Sequence, residues 1–124
     1  SSDLVLLSKH DGSLDVELKK YRLSLIKKAA QIDYTNDFEF IKADIADKSK
    51  TDKIFEKYRP DIVINLAAQA GVRYSIECPD RYIESNVLGF YEILEAARRA
   101  RESGKNLSHL IFASSSSVYG EGRT

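Results

Sequence analysis

Short apolar runs alternate with longer helix-period segments along this chain of 124 residues. The first run, DLVLL at 3–7, predicts a strand, and SKHDGS at 8–13 predicts a loop with Asp11-Gly12 as its turn. A helix is expected over 14–31, with Leu18, Tyr21, Leu25 and Ala29 near one face. Lys19, Lys20, Lys27 and Lys28 keep mainly to the rest and form its solvated side. FEFIKA at 38–43 reads as the next strand, closed by Asp44. Asp47 is a good N-cap for a helix over 48–58 that buries Ile54, Phe55 and Tyr58. Arg59-Pro60 ends it, because the residue before proline avoids the helical region.

The stretch at 62–75, IVINLAAQAGVRYS, organises the rest. Ile62-Val63-Ile64 is too short for a helix and rich in β-branched residues, the pattern of a strand (61–65) buried on both faces. It then turns small and polar: Asn65, Ala67, Ala68, Gln69, Ala70, Gly71. Small residues at the carboxyl end of a buried parallel strand let a flat ligand lie against the backbone, and in open α/β sheets that end is where ligands bind. An ordinary strand and loop is the plain alternative.

The longest helix is expected over 80–103, opened by Pro79-Asp80 and stopped by Gly104 and Asn106. Ile83, Val87, Phe90, Tyr91, Leu94 and Ala97 predict its apolar face. Arg98, Arg99 and Arg101 lie near its end, where cations suit the helix dipole. A strand over 108–113 and the four serines 114–117 follow. Strands alternating with helices argue for a parallel sheet with helices on both faces.

Composition narrows the function classes. Lysine plus arginine and aspartate plus glutamate are both 19, so no nucleic-acid or acidic-membrane footprint is expected. No apolar run approaches the roughly 18–20 residues of a membrane helix, and no signal-peptide pattern is visible. Cys78 is the only cysteine, so no disulfide framework is expected and the cytosol is the default compartment. Cys78 reads as a small apolar residue and His109 as a surface or core-edge one; with His10 far from His109, no metal site is expected.

IVINLAAQAGVRYS resembles the fourth strand and following loop of the extended short-chain dehydrogenase/reductase family, and AAQAGVRYS looks most like its UDP-glucuronate 4-epimerase branch. LIFASSSSVYG at 110–120 resembles the family's fifth strand, which carries the catalytic serine. The resemblance runs from about residue 16 to residue 120. It implies a Rossmann-like α/β fold, a bound NAD, a UDP-sugar substrate and a homodimer. The reaction implied is oxidation at the sugar C4 to a keto-sugar, then reduction on the other face. A nucleotide-sugar 4,6-dehydratase or decarboxylase of the same family is the runner-up, and a binding or assembly fragment without turnover is the alternative from another class.

Carried residue by residue, the resemblance makes Ser115 the catalytic serine, counted back from Gly120, with a hydroxyl suited to proton relay or to holding an oxyanion. Tyr119 is not the catalytic tyrosine by position. Asp44 matches the acid that accepts from the adenine amino group, with Ile45 against the ring; a plain turn aspartate is the other reading. Leu66, Ala67, Ala68, Gln69 and Ala70 match the loop that passes the cofactor's pyrophosphate and nicotinamide side, and Ser85 and Asn86 match positions near the cofactor. For Asn86, a poor helix former, a structural hydrogen bond is the equal alternative. Ser116, Ser117 and Arg73 are assigned to substrate. Arginine's planar fork suits carboxylate or phosphate, while pairing with Glu77 or Glu84, or simple solvation, is its other reading.

The chain departs from the family in three places. SKHDGS fits the end of the second strand poorly, where the ribose-gripping acid becomes Ser8 or, with a three-residue deletion, Asp11. No G-x-x-G-x-x-G occurs, and the Tyr-x-x-x-Lys pair expected beyond the serine is not reached. Residues 1–124 therefore read as one partial NAD-binding Rossmann-like domain, an interior piece lacking the family's first strand and glycine-rich turn. In the strand order 3-2-1-4-5-6 that first strand is central, so 3–7 and 61–65 are expected to face an empty slot with unpaired backbone groups. Either the natural protein is longer, or the piece closes differently or pairs with a second copy; an intact mass near 14.0 kDa would eliminate the first.

Overall fold

The computed structural model describes residues 4–8, 16–32 and 38–121. In chain order these form β1 (Leu4–Ser8), α1 (Val16–Ile32), β2 (Phe38–Lys42), α2 (Lys48–Tyr58), β3 (Ile62–Asn65), α3 (Val72–Glu77), α4 (Pro79–Tyr82), a π-helical segment (Ile83–Gly89), α5 (Phe90–Glu102), β4 (His109–Phe112) and a 3₁₀ turn (Ser116–Tyr119). The 14–15 start expected for the first helix and the turn at Asp11 lie outside the described residues.

Both strand pairings are parallel, as helix crossovers require. β1 pairs with β2, Leu6 opposite Phe40, and β3 pairs with β4, Ile62 opposite His109 and Asn65 opposite Phe112. Among the described residues no ladder joins the two pairs. This is the arrangement expected where a central strand between β1 and β3 is missing from the set.

The core lies between α2, α5 and one face of the β3–β4 pair. Phe55, Ile93, Ala96, Ala97 and Ala100 are buried together, with Ile45, Val63, Leu107 and Leu110 packed against them. Thr51 is buried too, and its hydroxyl donates to the carbonyl of Ile45 at 3.2 Å. Arg99 reaches from α5 to Asp52 on α2 at 2.6 Å, and Lys48 approaches the other carboxylate oxygen at 2.8 Å. The α2 ends match the sequence: Asp47 Oδ1 accepts from the Lys50 amide at 3.1 Å, and Arg59 leaves the helix in the left-handed region (φ 44°) ahead of Pro60.

Four expectations are corrected. β3 is not buried on both faces: Val63 is half-buried on the core side, whereas Ile62 and Ile64 are 55% and 60% exposed, because among the described residues only one layer packs on this pair. On the long helix, Ile83, Val87, Tyr91 and Leu94 are exposed, and the buried line is Gly89, Ile93, Ala96, Ala97 and Ala100. Ala97 is buried as expected and Phe90 half-buried, but the other bulky members of the expected face are exposed, and it is mainly alanines that meet α2. Residues 72–75, expected as the end of the loop, instead belong to α3, entered through Gly71 at φ 102°. Among the described side chains of α1 the half-buried positions are Val16, Lys19 and Leu23, while Tyr21 and Leu25 are exposed.

The π-helical segment ends in a close approach to the loop after β2. A Cβ on Gly89 would come within 2.7 Å of Ile45 Cγ1 and Cδ1, so only glycine lets the helix sit this close to the loop after β2. π-turns of this kind recur at functional sites.

Candidate functional site

The parallel β3–β4 register sets the ends of the two strands side by side, Asn65 opposite Phe112. The pairing continues one step further, the Ala113 amide donating to the Asn65 carbonyl at 3.3 Å. The loop after β3 and the serine run after β4 therefore leave the same edge. Phe112 is anchored there against Phe90, with ring centroids 5.0 Å apart.

Asn65 starts the loop with an Asx turn, its Oδ1 accepting from the Ala67 amide at 3.2 Å. Leu66, Ala67, Ala68 and Ala70 are exposed, and Gln69 is half-buried. The backbone from Gln69 to Gly71 is gripped from the helix that follows. Asn86 Oδ1 accepts from the Gln69 amide at 2.8 Å, and Asn86 Nδ2 donates to the Gln69 carbonyl at 3.0 Å. The Tyr82 hydroxyl donates to the Ala70 carbonyl at 2.9 Å and also faces the Gly71 carbonyl at hydrogen-bond distance. Tyr82 in turn lies against Tyr74 of α3, with ring centroids 6.2 Å apart.

Ser115 caps the 3₁₀ turn. Its Oγ accepts from the Ser117 amide at 3.2 Å and donates to Ser117 Oγ at 2.9 Å. Ser114–Ser117 are all exposed, so these hydroxyls can exchange their local bonds for a ligand's. Asp44 shapes the loop after β2, one carboxylate oxygen accepting from the Ala46 amide at 3.0 Å, and the Ile45 side chain packs inward toward Gly89 and the core. Ser85 is half-buried on the π-helical segment. Arg73 is exposed in the first turn of α3, while Glu84 lies 3.9 Å from Arg81.

The structure thus gathers Leu66–Ala70 with Ser115–Ser117 at one edge, and ties the loop after β2 and the loop after β3 to one helix, through Gly89 and Asn86. Ser8 ends β1, and Asp11 lies outside the described residues. Tyr82 is a site-shaping residue that the sequence reading passed over. The available signal was its place four residues, one helical turn, before Asn86. A separate groove, lined by Arg59, Asp61, Gly104 and Asn106, lies at the opposite end of the β3–β4 pair.

Residues 6–124 match the family described as GDP-mannose 4,6 dehydratase. Among similar proteins, Protein CapI of Staphylococcus aureus is 47% identical over 105 residues, covering 85% of this chain and 28% of that protein. UDP-glucuronate 4-epimerase 2 of Arabidopsis thaliana is 38% identical over 106 residues, covering 86% of this chain and 22% of its own length. The chain thus spans less than a third of either relative. A UDP-glucose 4-epimerase from Brucella ovis, solved in complex with NAD, superposes with a TM-score of 0.63 at 25% identity, covering 100% of this chain and 39% of that one.

Proposed function

Since the chain belongs to the GDP-mannose 4,6 dehydratase family of NAD-dependent nucleotide-sugar epimerases and dehydratases, we propose that it is the interior part of a UDP-sugar 4-epimerase, with UDP-glucuronate as the substrate. The observation that carries this reading is the shared edge, where the small-residue loop 66–70 and Ser115 leave adjacent strand ends bridged from Ala113 to Asn65. The residues fit a flat dinucleotide: Ala67, Ala68 and Ala70 put nothing larger than a methyl group on an exposed loop whose backbone is already fixed.

When bound, NAD supplies the redox chemistry, accepting hydride from the sugar C4 and returning it to the other face of the keto-sugar. The chain's own residues position and hold protons. Leu66–Ala70 flank the cofactor's pyrophosphate and nicotinamide side. Asp44 is assigned to the adenine amino group and Ile45, from its packed position against Gly89, to the floor beneath the ring, with Ser85 and Asn86 assigned near the cofactor. Ser115 turns its hydroxyl from Ser117 to the reacting sugar oxygen, and Ser116 and Ser117 complete that contact. A positioned proton-transfer group is worth roughly 10²–10⁴-fold in rate. In the complete enzyme, Ser115→Ala should lower turnover on that scale with NAD content unchanged. A loss smaller than about threefold would make the serine run structural.

Arg73 is assigned to the substrate anion. Its guanidinium forms a planar fork for carboxylate or phosphate, and Arg73→Lys keeps the charge but loses the fork. KM should rise in Arg73→Lys and further in Arg73→Ala. A larger rise for UDP-glucuronate than for UDP-glucose places Arg73 at the uronate carboxylate, an equal rise places it at the diphosphate, and no rise removes it from the site.

The second reading is a nucleotide-sugar 4,6-dehydratase, favoured by the description of the matching family. Product analysis separates the two, since a dehydratase releases a 4-keto-6-deoxy sugar. Ile83, Val87, Tyr91 and Leu94 form an exposed apolar stripe that suits the homodimer proposed with this reading. The compartment proposed is the cytosol. Among the described residues no helix is long and apolar enough to cross a membrane.

A further inference from the structure

We propose that Tyr82 and Asn86 are positioning residues: a side-chain clasp that fixes the loop after β3 in its ligand-binding shape without touching the ligand. This rests on the functional reading above and deepens it, because it gives Asn86 a different task from cofactor contact. Both hydrogen-bonding ends of the Asn86 amide are spent on one peptide unit, that of Gln69, at 2.8 and 3.0 Å. Each end keeps one further position, but both bonds made here are to the protein's own backbone, which fixes the amide against the loop.

The Tyr82 hydroxyl extends the grip to the carbonyls of Ala70 and Gly71. The Gln69 carbonyl is therefore met by an amide N–H, and the Ala70 and Gly71 carbonyls share the single phenolic proton, both donors coming from one helix. The consequence is electrostatic as well as steric. Carbonyl oxygens are the negative ends of the peptide dipoles, and an unpaired one near a pyrophosphate would repel it. Bonded to Tyr82 and Asn86, these three point at the protein's own donors. Meanwhile Gly71, at φ 102°, supplies the turn that brings its carbonyl to the tyrosine, and a Cβ added there would lie 3.7 Å from the hydroxyl.

The test has one arm for the clasp and one for its purpose. Amide exchange is measured in Asn86→Ala and in wild type. The Gln69 amide should exchange at least about tenfold faster in the variant, the scale of one lost hydrogen bond, with α5 and β4 unchanged. Unchanged Gln69 exchange overturns the clasp. In the complete protein, NAD affinity is then measured for Tyr82→Phe, which removes only the hydroxyl and keeps the ring against Tyr74. Affinity should fall about tenfold while the melting temperature holds. Unaltered affinity in a variant whose loop exchange has risen overturns the positioning role. A wild-type protein that binds no NAD at all would instead overturn the functional reading, with the exchange arm still deciding the clasp.

Discussion

Asp52 stands between two cations, and its carboxyl is held below the usual carboxylate range. The hydrogen bond from Lys48 is the main cause; partial burial opposes it, and the hydrogen bond and charge of Arg99 add to the lowering. The sign of the pH effect follows. A group whose folded pKa is depressed stabilises the fold fully above its unfolded pKa, about 3.9 for aspartate, and loses that contribution as pH falls through the lower folded value. Asp52→Asn should therefore cost about 1 kcal/mol near pH 7 and progressively less below about pH 4, read from urea midpoints of the two proteins across that range. An equal difference at both ends would show that the pair acts through packing rather than charge.

At the scale of the element, the helix from Pro79 to Glu102 carries two tasks: Tyr82 and Asn86 bond the loop after β3, while Ile93, Ala96, Ala97 and Ala100 pack toward α2. The π-helical segment holds Asn86 and ends at Gly89, its contact point with Ile45. Gly89→Ala should destabilise the protein by about 1–3 kcal/mol, the usual cost of overpacking. Trimming the obstacle in Gly89→Ala/Ile45→Ala should cost less than the sum of the two single changes, measured by thermal or chemical melting. Elements whose signals are local were legible in the sequence. The Asp47 cap and the Arg59-Pro60 stop placed α2 correctly at both ends. The buried face of the long helix was not legible, because glycine and alanines line it around the single Ile93, and Gly89 is required by Ile45, forty-four positions away. Likewise the loop residues 66–70 and Ser115 were visible as motifs, but the clasp on that loop arises only when the chain folds back on itself.

For the whole molecule, the two ladders matter most. The glycine-rich turn that gives Rossmann folds their anion site is not in this sequence, so the 124-residue chain alone should bind NAD far more weakly than a complete enzyme. Calorimetric titration of the chain checks this, and micromolar or tighter binding would refute it. Every residue of the core cluster, and every partly buried residue packed on it, comes from position 45 onward. Among the residues whose side chains are described, the β1–α1–β2 unit contributes its own strand pairing and contacts such as Lys27 above the Phe40 ring at 6.0 Å, but no member of that cluster. Two cooperative units of unequal strength are the expected outcome. In native-state hydrogen exchange, the amides of β1 and β2 should open sub-globally, at a lower free energy than those of α5 and β4, which should report global unfolding. Mild denaturant would then release the first unit as a discrete step, leaving the second folded around its alanines.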